Sequence, residues 1–144
     1  MKRTFWLLVL MLSAAASVSY AQSSAQSTVD KNLNLLRDSQ ATLSPGALAY
    51  SYGLVFGYYV QGRNELKGDL AMTLFAAQDQ LKLKNAPSLE DAVYAINQLD
   101  SGLGDTAFCL FKGLATGNYF AGNEKSSVAL AATADEHRFD RVCR

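Results

Sequence analysis

The chain has 144 residues, with 13 basic and 13 acidic side chains, one histidine, two cysteines and 49% hydrophobic residues. With Lys2 and Arg3 set aside as part of an N-terminal leader, 11 basic residues stand against 13 acidic ones, a formal charge of −2. That balance leaves no electrostatic footprint for nucleic acid or an anionic membrane surface, and roughly 120 residues suffice for one domain and hardly for two.

The leader is read from its first residues. Met1-Lys2-Arg3 is a short positive region, Phe5 to Leu12 is unbroken apolar chain, and Ser19-Tyr20-Ala21 has the small-x-small form of a signal-peptidase site. The expectation is a signal peptide over 1–21, cleavage before Gln22, and a periplasmic or secreted protein. An uncleaved anchor is the rival reading, but the apolar run is too short to span a bilayer comfortably. No cysteine follows the run, so no lipid anchor is expected. Export places Cys109 and Cys143 in an oxidising space, where two cysteines read as one structural disulfide. Two distant cysteines and one histidine are too few for a metal site, and an oxidised pair has no thiolate for catalysis.

Residues 22–28 are small and polar and are expected to be flexible, leaving 29–144 as a single helical domain. A first helix starts near Thr28 and sets Val29, Leu33 and Leu36 on one face. Ser44 to Gly62 then has no charged side chain, five aromatic rings and a small-residue series at Ala49, Gly53 and Gly57. Large residues at Tyr50, Tyr52, Leu54, Phe56, Tyr58 and Val60 alternate as in a strand. Ser44 as N-cap, Pro45 at the first helical position and Gly62 as C-terminal stop favour a helix instead. Its apolar core, Ala47 to Val60, is fourteen residues, suited to a buried helix and short of a membrane span. Ala49, Gly53 and Gly57, at four-residue spacing, predict close packing against another backbone.

Leu66, Leu70, Leu74, Ala77 and Leu81 give the next helix its apolar stripe, ended by Asn85-Ala86-Pro87. Ser88 caps another helix, with Leu89, Ala92, Val93, Ile96 and Leu99 buried and Gly102 and Gly104 beyond its end. The short loop between the two predicts an antiparallel hairpin. Asp105 is the next N-cap, leading a helix over Thr106 to Thr116 that carries Phe108, Cys109 and Phe111. Gly117-Asn118 and Gly122-Asn123 flank a loop holding Tyr119 and Phe120. A last helix runs from Ser126 or Ser127 toward Phe139 and Val142. The expected fold is all-α, a bundle of five to six helices around the central apolar one.

Few residues offer chemistry. His137 stands within Asp135-Glu136-His137-Arg138, a charged helix face, and no nucleophile elbow accompanies it. Glu65, Glu90, Asp91 and Glu124 are the carboxylates for a hydrolase reading, each with a simpler use as a cap or solvated charge. Gly102-x-Gly104 lacks the rest of any phosphate or dinucleotide fingerprint, and no cofactor is expected. Tyr52, Phe56 and Tyr59 could line an apolar ligand pocket, although core packing is the commoner use of such a stripe. Tyr119 and Phe120 are the candidate partner-binding pair.

Three fragments carry a resemblance: Gly53-Leu54-Val55-Phe56-Gly57, Phe108-Cys109-Leu110-Phe111-Lys112-Gly113 and Phe139-Asp140-Arg141-Val142-Cys143. They resemble the Rap/Tai group of periplasmic immunity proteins of type VI secretion systems. The resemblance is confined to these short motifs and implies a small, exported, helical, disulfide-stapled protein that neutralises a toxic effector. The expected function is therefore that of a non-enzymatic exported protein binding a protein partner as inhibitor, immunity protein or adaptor, with a homodimer as a further partner reading. A small-ligand or envelope-stress binding protein is the alternative, and a small hydrolase the third.

Overall fold

The computed structural model describes residues 22–63, 68–98 and 103–144, so the signal-peptide reading of 1–21 and Glu65 lie outside the described residues. Among the described residues there are seven α-helices and no strand, and Cys109 is bonded to Cys143. No helix among them is long and apolar enough to cross a membrane.

Helix α1 covers 22–38 and so extends back through the stretch expected to be flexible. Gln26 accepts a hydrogen bond from the Tyr58 hydroxyl at 2.9 Å, and Val29, fully buried, packs with Leu54 and Tyr58. Those contacts give the small polar residues a reason to stay helical that composition alone does not supply. Farther along α1, Asn32 is buried; it accepts from Ser51 Oγ at 2.8 Å and donates to Thr28 O at 2.9 Å. A 3₁₀ turn at Gln40–Thr42 leads into the central helix.

Helix α2 (Pro45–Phe56) starts as its caps dictate. Ser44 Oγ accepts from Ala47 N at 3.1 Å, and Pro45 occupies the first turn. Gly62 does not stop it. The chain continues as a π-helical segment over Gly57–Arg63. Such widened turns have poorer intrinsic geometry; here the loss is offset where Gln61 reaches Pro87 O and the Asn118 amide.

Helix α5 (Asp105–Phe120) lies against α2 in the most extensive helix–helix contact of the molecule. Glycines on both sides make it so close. A β-carbon at Gly53 would lie 2.9 Å from Leu114 N, and one at Gly57 would lie 2.7 Å from Leu114 O. Reciprocally, a β-carbon at Gly113 would lie 2.9 Å from Leu54 N and one at Gly117 2.8 Å from Tyr58 N. Each helix therefore offers a four-residue glycine step to the other. Ala49, the first member of the predicted small face, is fully buried.

Helix α3 (Gly68–Gln80) packs on α2 through Leu70, Leu74 and Ala77. Helix α4 (Leu89–Gln98) packs instead on α6 (Ser126–Ala132) and α5. Among the described residues α3 and α4 do not form the expected hairpin, because α3 packs on α2 while α4 packs on α6 and α5; Leu66 and Leu99 of the two predicted stripes lie outside the described residues. The predicted last helix is two, α6 and α7 (Glu136–Val142). The break is fixed by Thr133, whose hydroxyl bonds back to Ala129 O at 2.7 Å, and by Asp135, which caps α7 by accepting from Arg138 N. Two cores result. The larger joins α1, α2, α3, α5 and α7 around Leu36, Tyr52, Val55, Leu114 and the cystine; a small one joins Leu89, Ala115 and Ala129.

Candidate functional site

Among the described residues the candidates for chemistry are not assembled. His137 is exposed on α7. Glu90 and Asp91 are exposed in the first turn of α4, where Ser88 Oγ caps Asp91 N at 3.0 Å, and Glu124 is exposed in the α5–α6 turn. Among the described residues no three His, Cys, Asp or Glu side chains group as metal ligands. Among the described residues the one deeply buried cation, Lys112, is engaged with Glu136 Oε1 at 2.7 Å and Thr133 O at 2.8 Å, and lies over the Phe139 ring at 5.2 Å. It ties α7 to α5 beside the disulfide. Arg138 does the same from the other side, stacked 4.4 Å from the Phe108 ring and bonded to Asp105 and Leu103 O.

The aromatic stripe of α2 fills space. Tyr52 and Phe56 are buried with ring centroids 5.5 Å apart, and Tyr59 packs partly buried beside them. None of the three lines any of the principal concavities. Tyr52 donates to Gln78 Oε1 at 3.2 Å, the polar outlet a buried phenol needs. Tyr119 and Phe120, expected on a loop, form the last turn of α5, because Gly117 and Asn118 pack into the α2 contact and keep the helix going. On that helix the two rings part company. Tyr119 is 60% exposed, while Phe120 is half-buried against the cluster of Val29, Leu54 and Tyr58.

A different place gathers exposed apolar surface and convergent polar groups. Between the start of α4, the π-helical segment and the α5–α6 turn runs an open groove of about 830 Å³. Its rim includes Tyr94 and Val128, 67% and 57% exposed, with Leu89 buried beneath. The floor is a chain of side-chain amides. Asn123 Nδ2 donates to Asn118 Oδ1 at 3.0 Å; Asn118 Nδ2 donates to Gln61 Oε1 and to Leu114 O at 2.9 Å; Gln61 Nε2 donates to Pro87 O at 2.8 Å. Leu114 O and Pro87 O are carbonyls and can only accept, so the orientation of each amide is dictated by the backbone. Asn118 is fully buried and spends both N–H groups within this chain.

Gln61, Asn118 and Asn123 escaped the sequence reading. The two asparagines follow glycines, a pattern that reads as a turn. A recoverable signal was the glycine step Gly113–Gly117, which repeats the Gly53–Gly57 step and continues the helix into Asn118. No family model, curated protein or solved structure matches the chain.

Proposed function

We propose that this is an exported, non-enzymatic helical protein that binds another protein, as an inhibitor or immunity protein, through the groove between α4 and the α5–α6 turn. The observation that carries this reading is the pairing of an exposed aromatic and an exposed aliphatic residue, Tyr94 and Val128, over a rigid amide floor. Tyrosine is enriched among binding hot spots, and a preorganised surface spares the cost of ordering it on binding. Export is supported by the apolar leader, and by the bond between Cys109 and Cys143, since disulfides persist in oxidising compartments. The ligand-pocket alternative has no observation in its favour, because its three rings pack with the core.

The test is capture of a stoichiometric protein partner by the chain from Gln22 onward, offered envelope extracts and the secretions of competing cells. Val128→Glu and Tyr94→Ala should abolish capture. Phe75→Ser, on the exposed face of α3, should leave it intact. Failure to capture any protein in both settings would overturn the reading; loss with Phe75→Ser alone would move the surface to α3.

A further inference from the structure

The groove's hydrogen-bonding inventory goes beyond a general protein-binding surface. Gln61 Nε2 and Asn123 Nδ2 each carry two N–H groups, and each spends one inside the amide chain. Among the described residues the second N–H of each has no partner, and both side chains line the groove. Lys125 lines it too. Its backbone N–H donates to Asn123 Oδ1 at 3.2 Å, which places the lysine beside the asparagine, and among the described residues its ammonium is in no ion pair. Glu90, on α4 in the lining of the same groove, is likewise in no ion pair with any described residue. A cation and a carboxylate thus stand in one concavity without neutralising each other, with apolar Leu89 and Val128 also in the lining.

From this arrangement we infer that the groove takes an extended peptide segment of the partner, bearing a carboxylate for the Asn123–Lys125 end and an apolar side chain for Leu89, Tyr94 and Val128. A fixed N–H beside an ammonium recognises a carboxylate better than either alone, because the hydrogen bond sets direction and the charge adds strength. The free N–H of Gln61 then serves a main-chain carbonyl, an acceptor that every extended residue offers. Glu90, contributed by α4 rather than by the α5–α6 turn, repels a second acidic residue and admits a basic one, which gives the segment a polarity: acidic toward the α5–α6 turn, basic toward α4. An extended chain turns alternate side chains to the same face, so the acidic and apolar residues should sit two positions apart. The groove is open to solvent, where a small ligand would be largely enclosed.

This inference rests on the protein-binding reading above, and its test separates the two. A phage-displayed random dodecapeptide library is selected on the immobilised chain, with the Lys125→Glu and Tyr94→Ala variants as counter-targets. Both side chains are exposed and, among the described residues, neither makes a side-chain hydrogen bond or ion pair; circular dichroism checks that the variants keep their helices. The expected result is enrichment of sequences with an acidic residue two positions from an apolar one. Synthetic peptides of those sequences should bind Lys125→Glu at least roughly tenfold more weakly than the native chain. In heteronuclear spectra of the native chain they should shift the side-chain amide signals of Gln61 and Asn123. No enrichment, or enriched peptides that bind both variants as well as the native chain, overturns the inference. If a protein partner is nonetheless captured and lost with Val128→Glu, the groove binds a folded surface, and only the extended-segment inference falls. Peptide binding without any captured partner would instead overturn the proposed function.

Discussion

The hydroxyl of Tyr52 illustrates what one buried atom does to the pH response of the whole chain. The residue is fully buried, and burial pushes its ionisation far above the usual 10.0; Tyr50 is raised as well, again chiefly by burial. A phenol whose folded pKa exceeds its unfolded value holds its proton more tightly in the native state. Its stabilising contribution is therefore complete below the unfolded value and is lost as pH rises from there through the folded value. Stability should fall above about pH 10, by up to ~1.4 kcal/mol per pH unit for each such tyrosine. Tyr52→Phe should remove one share of that slope, at a cost of about 0.5–1.5 kcal/mol at neutral pH for the lost bond to Gln78. Urea melts at neutral pH and across the alkaline range measure both quantities. An unchanged alkaline slope in the variant would show that Tyr52 ionises without unfolding the chain.

At the scale of elements, the pairing of α2 with α5 is where the sequence was most and least informative. Ser44, Pro45, Gly53 and Gly57 announced a capped helix with one bare face, and the structure bears this out. The partner was not legible, because Gly117 reads equally well as a helix stop and as a gap for another backbone. Only the facing Leu54 O and Tyr58 N decide between those uses, and they come from sixty residues earlier in the chain. The groove was hidden for a related reason. Gln61 sits on a widened turn that no local propensity signals, and Asn118 is meaningful only with Gln61 beside it. The helix pair makes a sharp prediction. Alanine in place of a helical glycine ordinarily gains up to about 1 kcal/mol. Gly53→Ala should instead lose about 1–3 kcal/mol, since its methyl meets backbone atoms that cannot swing aside. Gly68→Ala, with nothing within 4 Å, should be neutral or stabilising. Thermal melts of the two variants side by side would settle the matter, and equal effects would refute the close contact.

Across the whole molecule, the C-terminal end is what closes the fold. Cys143 is bonded to Cys109 across a sequence separation of 34, Lys112 and Arg138 brace α7 from either side, and Gly46 abuts the backbone of Val142. In the chain-entropy description a loop of that size stabilises the native state by about 3–4 kcal/mol. The Cys109→Ser, Cys143→Ser double variant should lose that amount in urea melts. Mild reductant should act slowly on the native chain, since both cysteines are buried; fast reduction without denaturant would indicate that α7 opens on its own.

The separation of the small cluster under α4 and α6 from the large core has a bearing on how such a chain can change over generations. The groove's rim is mounted over Leu89, Ala115 and Ala129, apart from the large core that Tyr52, Leu114 and the cystine hold together. Substitutions at Tyr94, Lys125 and Val128 touch neither the glycine contact nor the C-terminal clasp. On the proposed function, recognition is thereby uncoupled from foldability: a lineage could trade one partner for another at the rim while the glycine-paired helices pass unaltered from ancestor to descendant.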